Sequence, residues 1–212
     1  MPLVYQQNIN ATTKLALWHI TETEAFFTER VSVHRAIAHP HKRLQHLAGR
    51  WLLQALFPEF PYDQILIADT RRPFIQDEAY HFSISHSGDY AAVLVSTTQR
   101  TGVDVEVVGE KVKKVLHKFL HPEEMNLFTS LIEEHELPDI IFYTAAWSIK
   151  EALYKWNAEA EVEFSDQLRI RSLLWQDQFA LANCEIVKAD KVTPLKVEIY
   201  WRQDYCLSWV TA

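Results

Sequence analysis

The hydrophobic period of this chain changes four times, and that alternation limits its fold more than any other feature. His81-Phe82-Ser83-Ile84-Ser85 alternates apolar and polar residues, Ser87-Gly88-Asp89 supplies a turn, and Tyr90–Val95 returns, which predicts a hairpin. Thr101–Val108 alternates again, with Val103, Val105 and Val107 on one face. From Lys111 to Trp156 the spacing becomes helical. His121-Pro122-Glu123-Glu124 reads as a helix start, with proline in the first turn and acids at the positive end of the dipole. Leu137-Pro138-Asp139 interrupts that helix, and Ile140–Trp156 continues as the next. Beyond it Phe164–Ile170, Phe179–Val187, Leu195–Trp201 and Tyr205–Val210 read as strands. Upstream lie a strand at Leu15–Ile20, a short helix around Glu22–Glu29, a long helix over His34–Phe57 closed by Pro58 and Pro61, and a strand at Tyr62–Ala68. Helices between two groups of antiparallel-looking strands predict the α+β class.

With 212 residues, 48% of them hydrophobic, the chain can bury a large core without staples. Its two cysteines, Cys184 and Cys206, make no disulfide framework, so a reduced, cytoplasmic protein is expected. The first residues lack the basic start and apolar run of a secretory signal, and no apolar stretch is long enough to cross a bilayer. A formal net charge of −7 argues against a general nucleic-acid binder.

Asp104 and Glu106 sit two apart in a strand. Pleating puts both carboxylates on one face, roughly 7 Å apart at their Cα atoms. Charges so placed raise each other's pKa unless a cation intervenes, and a hard ion such as Mg2+ would answer that need. An ordinary half-exposed acidic strand face is the plain alternative. On the helix, Trp147, Lys150, Glu151, Tyr154 and Lys155 fall at helical spacing on one face, with Ile149, Ala152, Leu153 and Trp156 opposite. That face could bind a metal-linked phosphate, although Glu151 and Lys155 also form an i,i+4 pair worth about 0.3–0.5 kcal/mol on any exposed helix.

Ser85-His86-Ser87-Gly88 lies where a strand meets a turn, and hydroxyls, a histidine and free N–H groups there could grip a phosphate. A serine nucleophile with a histidine base is the competing chemistry, but the first glycine of the nucleophile elbow is absent.

Taken in order, these segments resemble the Sfp-type 4'-phosphopantetheinyl transferases. Phe82-Ser83-Ile84-Ser85-His86-Ser87 is similar to the family's F-x-x-S-H-S segment, and Gly102-Val103-Asp104-Val105-Glu106 to its G-[IV]-D-[IV]-E strand. Trp147 to Lys155 resembles its W-x-x-K-E-[AS]-x-x-K helix, and Lys118-Phe119-Leu120-His121-Pro122-Glu123-Glu124 its F-[FL]-x-x-x-E helix start. The resemblance implies two similar α+β halves, 1–98 and 99–212, with antiparallel sheets in pseudo-twofold arrangement and the site built within a monomer. It implies transfer of phosphopantetheine from coenzyme A to a serine of an acyl or peptidyl carrier protein, releasing adenosine 3',5'-bisphosphate.

By the same resemblance Asp104, Glu106 and Glu151 hold Mg2+, or Mn2+ in its place. Lys150 and Lys155 contact the phosphates, and Glu151 is the candidate base for the carrier serine. His86 would hold a nucleotide phosphate with Ser85 or Ser87 beside it. Arg72 stands where the family shows lysine before proline. Arg43, the first choice, or Arg50 on the long helix would meet the 3'-phosphate. The basic run Lys111, Lys113, Lys114 and Lys118 would dock an acidic carrier despite the net charge. A Mg2+-dependent phosphohydrolase of coenzyme A or nucleotides, and a non-catalytic coenzyme A-binding protein, are the alternatives.

Overall fold

The computed structural model describes residues 2–31, 37–70, 72–189 and 191–212. In chain order its elements are β1 (Leu3–Asn10), β2 (Thr13–His19), α1 (Glu24–Thr28), α2 (Pro40–Leu56), β3 (Leu66–Ile67), β4 (Pro73–Phe74), β5 (His81–Ser87) and β6 (Tyr90–Ser96). There follow β7 (Thr101–Val107), α3 (Leu116–Phe119), α4 (Pro122–Glu134), α5 (Asp139–Asn157), β8 (Leu168–Trp175), β9 (Phe179–Lys188), β10 (Lys191–Trp201) and β11 (Tyr205–Thr211).

Two antiparallel sheets organise them, in the orders β1-β2-β6-β5 and β7-β11-β10-β9-β8. Both contain one shared motif. A first strand (β2 or β7) pairs with the last of its group (β6 or β11), which pairs with the penultimate one (β5 or β10). A long helix, α2 or α5, lies between first and penultimate strands in sequence and covers one face of its sheet. The mixed architecture with two antiparallel sheets bears out the α+β class. Leu47, Leu52, Leu53 and Phe27 pack with Val93 and Val95 in one core, and Phe142, Ile149 and Leu153 with Val197 and Ile199 in another. A third core joins the uncovered faces, where Leu15, Leu17 and Leu94 of the first sheet meet Val103, Val105, Leu207 and Trp209 of the second.

The edges β5 and β7 meet at the seam. Val103 N–H donates to Ser83 Oγ at 3.0 Å, and Val107 N–H donates to Ser87 Oγ at 3.2 Å. The constant offset means that the strands run in the same direction, linked by serine side chains in place of a backbone ladder. Gly102 lets β7 lie close against α5. A Cβ there would stand 2.1 Å from Ala152 O and 2.8 Å from Trp156 N. Gly88, at φ +53°, closes the β5–β6 turn in the left-handed region that glycine enters without strain.

Several boundaries differ from the sequence reading. Strand β1 was not expected, because an edge strand with the sequence LVYQQNIN keeps one face in solvent and shows little apolar signal. Tyr62–Ala68 is a 3-10 turn at Tyr62–Gln64 followed by the two-residue β3. The helix expected from His34 begins, within the described residues, at Pro40, and 34–36 lie outside them. The strand expected at Phe164–Ile170 runs instead over Leu168–Trp175.

Candidate active site

Strand β7 and helix α5 bring the acidic residues together. Asp104 is only 2% exposed, which rules out the half-exposed acidic face considered above. Its Oδ1 accepts from Ser85 Oγ at 2.8 Å and from Lys155 Nζ at 2.7 Å. Its Oδ2 is buried with no hydrogen-bond partner among the described residues. Glu106 accepts from Ser87 Oγ through Oε2 at 2.8 Å and from Trp147 Nε1 through Oε1 at 3.2 Å. The Glu151 carboxylate makes no hydrogen bond to a described residue, and the charges acting on it are Asp104, Lys155 and Glu106. Burial, then the charge of Asp104, pushes the carboxyls of Glu106 and Glu151 up to about 7.

Among the described residues no three His, Cys, Asp or Glu side chains close into a metal cage. Mg2+ does not need one, since it usually keeps waters and takes one or two carboxylates together with substrate phosphates. The donor set suits such an ion: a buried carboxylate oxygen without a partner, a second carboxylate without a hydrogen bond, and a third that is half-buried. An unpaired buried acceptor costs about 1–3 kcal/mol, and a cation is one group that relieves it.

On the opposite side of β5, Ile84 faces two adjoining clefts and His86 one of them. One, of about 440 Å3, is bordered by His46, Arg50, Pro73 and His86. The other, of about 360 Å3, is bordered by Arg72, Pro73, Tyr154 and Lys155. Pro73 and Ile84 belong to both. Arg50 and Arg72 form no ion pair within 4 Å among the described residues, although Glu78 acts on Arg72 and Glu159 borders the same cleft. Desolvation lowers the pKa of His86, opposed by a backbone hydrogen bond.

A third cavity, about 1070 Å3, opens on the far side of Glu106. Val112, Phe119, Trp147 and Phe164 make it apolar, and Lys111 and Lys118 stand at its edge. Phe119 packs edge-on to Trp147 with centroids 5.0 Å apart, and Phe164 stacks on Trp147 at 5.7 Å.

Three expected placements change. Lys150 does not share a surface with Glu151. Consecutive helical residues diverge by about 100°, and that flank of α5 is covered by α3, α4 and the segment before β8. Lys150 is therefore 0% exposed and donates to Glu124 Oε2 at 2.6 Å, Phe119 O at 2.5 Å and Phe164 O at 2.9 Å. Ser85 and Ser87 turn toward the carboxylates of β7, because strand period puts them opposite His86. Arg43 is held by both oxygens of Glu24, at 2.7 and 2.8 Å, and by Ile37 O, and it borders neither cleft; Arg50 is the helix residue that does.

Glu124, the acid that closes the F-[FL]-x-x-x-E segment, has no role assigned from the sequence. It belongs to a capping box with His121, and its carboxylate also accepts from Ile170 N–H at 2.6 Å. Within the basic run, Lys113 is bound to Asp139 at 2.9 Å and Glu110 at 3.5 Å, whereas Lys111, Lys114 and Lys118 are exposed.

Residues 100–210 match the model of the 4'-phosphopantetheinyl transferase superfamily, and that segment holds β7, α5 and their carboxylates. A Haemophilus influenzae protein whose name assigns it to the 4'-phosphopantetheinyl transferases is 27% identical over 134 residues, 60% of this chain and 55% of its own. The L-aminoadipate-semialdehyde dehydrogenase-phosphopantetheinyl transferase of Xenopus laevis is 24% identical over 127 residues, 51% of this chain and 41% of its own. The matched regions thus span about half the length of these relatives. With more than half of its length matched by the family model, and the acidic strand and helix of its site inside that match, the chain belongs to the 4'-phosphopantetheinyl transferase superfamily.

Proposed function

We propose that this chain is an Sfp-type transferase that moves 4'-phosphopantetheine from coenzyme A to a serine of a carrier protein. In this reading the halves 1–98 and 99–212 build one site within a monomer. One observation carries it: at the seam between β5 and β7 three carboxylates gather about Lys155, which also borders the cleft of Arg72, and that cleft adjoins the one of Arg50 and His86.

The residues divide the work by charge. Arg50 and His86 receive the nucleotide phosphates on one side of Ile84, and Arg72 and Lys155 the phosphates nearer the carboxylates. Lys155, paired with Asp104, is placed to turn its ammonium toward the phosphoryl group under attack. Asp104, Glu106 and Glu151 would hold Mg2+ or Mn2+, which when bound supplies charge neutralisation on the pyrophosphate and its leaving group. The Glu151 carboxylate takes the proton of the carrier serine on the oxygen left free of the ion. The serine oxygen then bonds to the phosphorus, and the bond to adenosine 3',5'-bisphosphate breaks. The apolar cavity beyond Glu106 receives the pantetheine arm, and Lys111, Lys114 and Lys118 attract an acidic carrier helix.

The test is the intact mass of an apo carrier protein incubated with this protein, coenzyme A and Mg2+. A gain of one phosphopantetheine, abolished by EDTA, is expected. Coenzyme A consumed without a modified carrier would establish a phosphohydrolase instead. Coenzyme A bound, with no turnover across several carriers, would establish a binding protein.

A further inference from the structure

In β5, Ser83, Ser85 and Ser87 occupy alternate positions and all three bond to β7, while Ile84 and His86 border the clefts, as Ser83 also does beside Arg72. Their hydrogen bonds are of two kinds. Ser83 and Ser87 accept from the backbone N–H groups of Val103 and Val107, and Ser85 and Ser87 donate to the carboxylates of Asp104 and Glu106.

A hydroxyl has one proton. On Ser87 the Val107 N–H takes a lone pair, which leaves the proton directed at Glu106 Oε2. On Asp104, Ser85 and Lys155 both bind Oδ1, so Oδ2 is the oxygen left without a donor. Ser85, with Lys155, thus fixes which Asp104 oxygen is taken and which stays open, and Ser87 fixes Oε2 of Glu106 while Trp147 Nε1 holds Oε1. Because the serines stand on the other sheet, they also tie that choice to the register of the seam.

We propose that Ser85 and Ser87 are positioning residues that orient Asp104 and Glu106 for a divalent cation, rather than phosphate ligands, while Ser83 holds the seam through Val103 and bonds to neither carboxylate. This rests on the reading above that those carboxylates bind a cation. The partners that orient metal ligands typically change metal affinity about 10–100-fold when removed.

The experiment compares wild type with Ser85→Ala, Ser87→Ala, Ser87→Thr and Ser83→Ala. Free Mn2+ is followed by electron paramagnetic resonance without coenzyme A. Coenzyme A affinity is measured separately by calorimetry in EDTA, and Tm by thermal unfolding. Ser85→Ala and Ser87→Ala should each weaken Mn2+ binding about 10-fold or more and leave coenzyme A affinity in EDTA unchanged. Ser87→Thr, which keeps the hydroxyl, should bind Mn2+ as wild type does. Ser83→Ala should lower Tm without changing Mn2+ affinity. If Ser85→Ala fails to fold, the half-buried Ser87 pair of variants carries the comparison.

Wild-type Mn2+ affinity in the alanine variants overturns the proposal. So does a loss of coenzyme A affinity in EDTA with Mn2+ binding intact, which would return the hydroxyls to the phosphates. A wild-type protein that binds no Mn2+ removes the cation reading itself, and is thereby distinct from a failure of the serines alone.

Discussion

Lys155 Nζ lies 2.7 Å from Asp104 Oδ1, an ion pair between helix α5 and strand β7 at the point where both meet β5. Asp104 is nearly sealed from solvent and Lys155 is not, so the lysine can exchange its partner while the aspartate stays. Lys155→Met should lower carrier modification about 100- to 1000-fold, the usual cost of removing a donor aimed at developing charge. Asp104→Asn keeps the shape of a buried side chain and should be as inactive. Intact-mass time courses on variants with wild-type circular dichroism check both, and near wild-type rates would remove these residues from the site.

The carboxyls of Glu106 and Glu151 have folded pKa values of about 7, above their ordinary 4.5. Between those values the folded state binds more protons than the unfolded one, so these two groups make stability fall as pH rises from about 4.5 to about 7. Mg2+ or Mn2+ bound to the ionised forms should reverse that loss. Thermal melts in EDTA from pH 5 to 8 should show Tm falling across this window, and added Mn2+ should restore it most at pH 8. A Glu106→Gln/Glu151→Gln variant should lose this component of the slope.

Lys150 and Glu124 form a buried ion pair with 0% and 1% of their side chains exposed. Removing one member strands the other charge, which typically costs 3–5 kcal/mol, whereas replacing both with apolar residues of similar volume is often tolerated. Lys150→Met should therefore unfold at clearly lower denaturant than Lys150→Met/Glu124→Leu. Equal losses in the single and double variants, measured by urea unfolding, would show that the charges are not coupled.

Charge reversal at Lys111 and Lys118 should raise the KM for an acidic carrier severalfold, with coenzyme A KM unchanged and the effect shrinking at high salt. Reversal at Lys113 should do less for the carrier, because Asp139 and Glu110 already hold its charge. Steady-state kinetics at two ionic strengths separate these cases.

Gly102→Ala should destabilise the protein by about 1–3 kcal/mol, the range for overpacking a filled core, since its Cβ would meet the backbone of α5. Loss of activity should accompany the loss in Tm, because the same displacement would part Lys155 from Asp104. A variant as stable and active as wild type would mean that the approach of β7 to α5 is looser than described.

Local pattern was enough for some of this. The two-residue spacing of Asp104 and Glu106, the interval from Glu151 to Lys155, the β5–β6 hairpin, the acidic start of α4 and the order of the motifs are all legible without a structure, because each depends on residues near one another in the chain. The α+β class follows from the same periods. Other features depend on what packs against an element from elsewhere. The coverage of one flank of α5 by α3 and α4 separates Lys150 from Glu151, although both lie on the stretch that the helical spacing assigned to one face. Glu24 claims Arg43 and leaves Arg50 to the cleft. The meeting of two sheet edges gives the serines of β5 to carboxylates of β7 some twenty residues away. Period alone says which residues share a face; only the neighbours brought by the tertiary fold decide whether that face meets solvent, a charge or another strand.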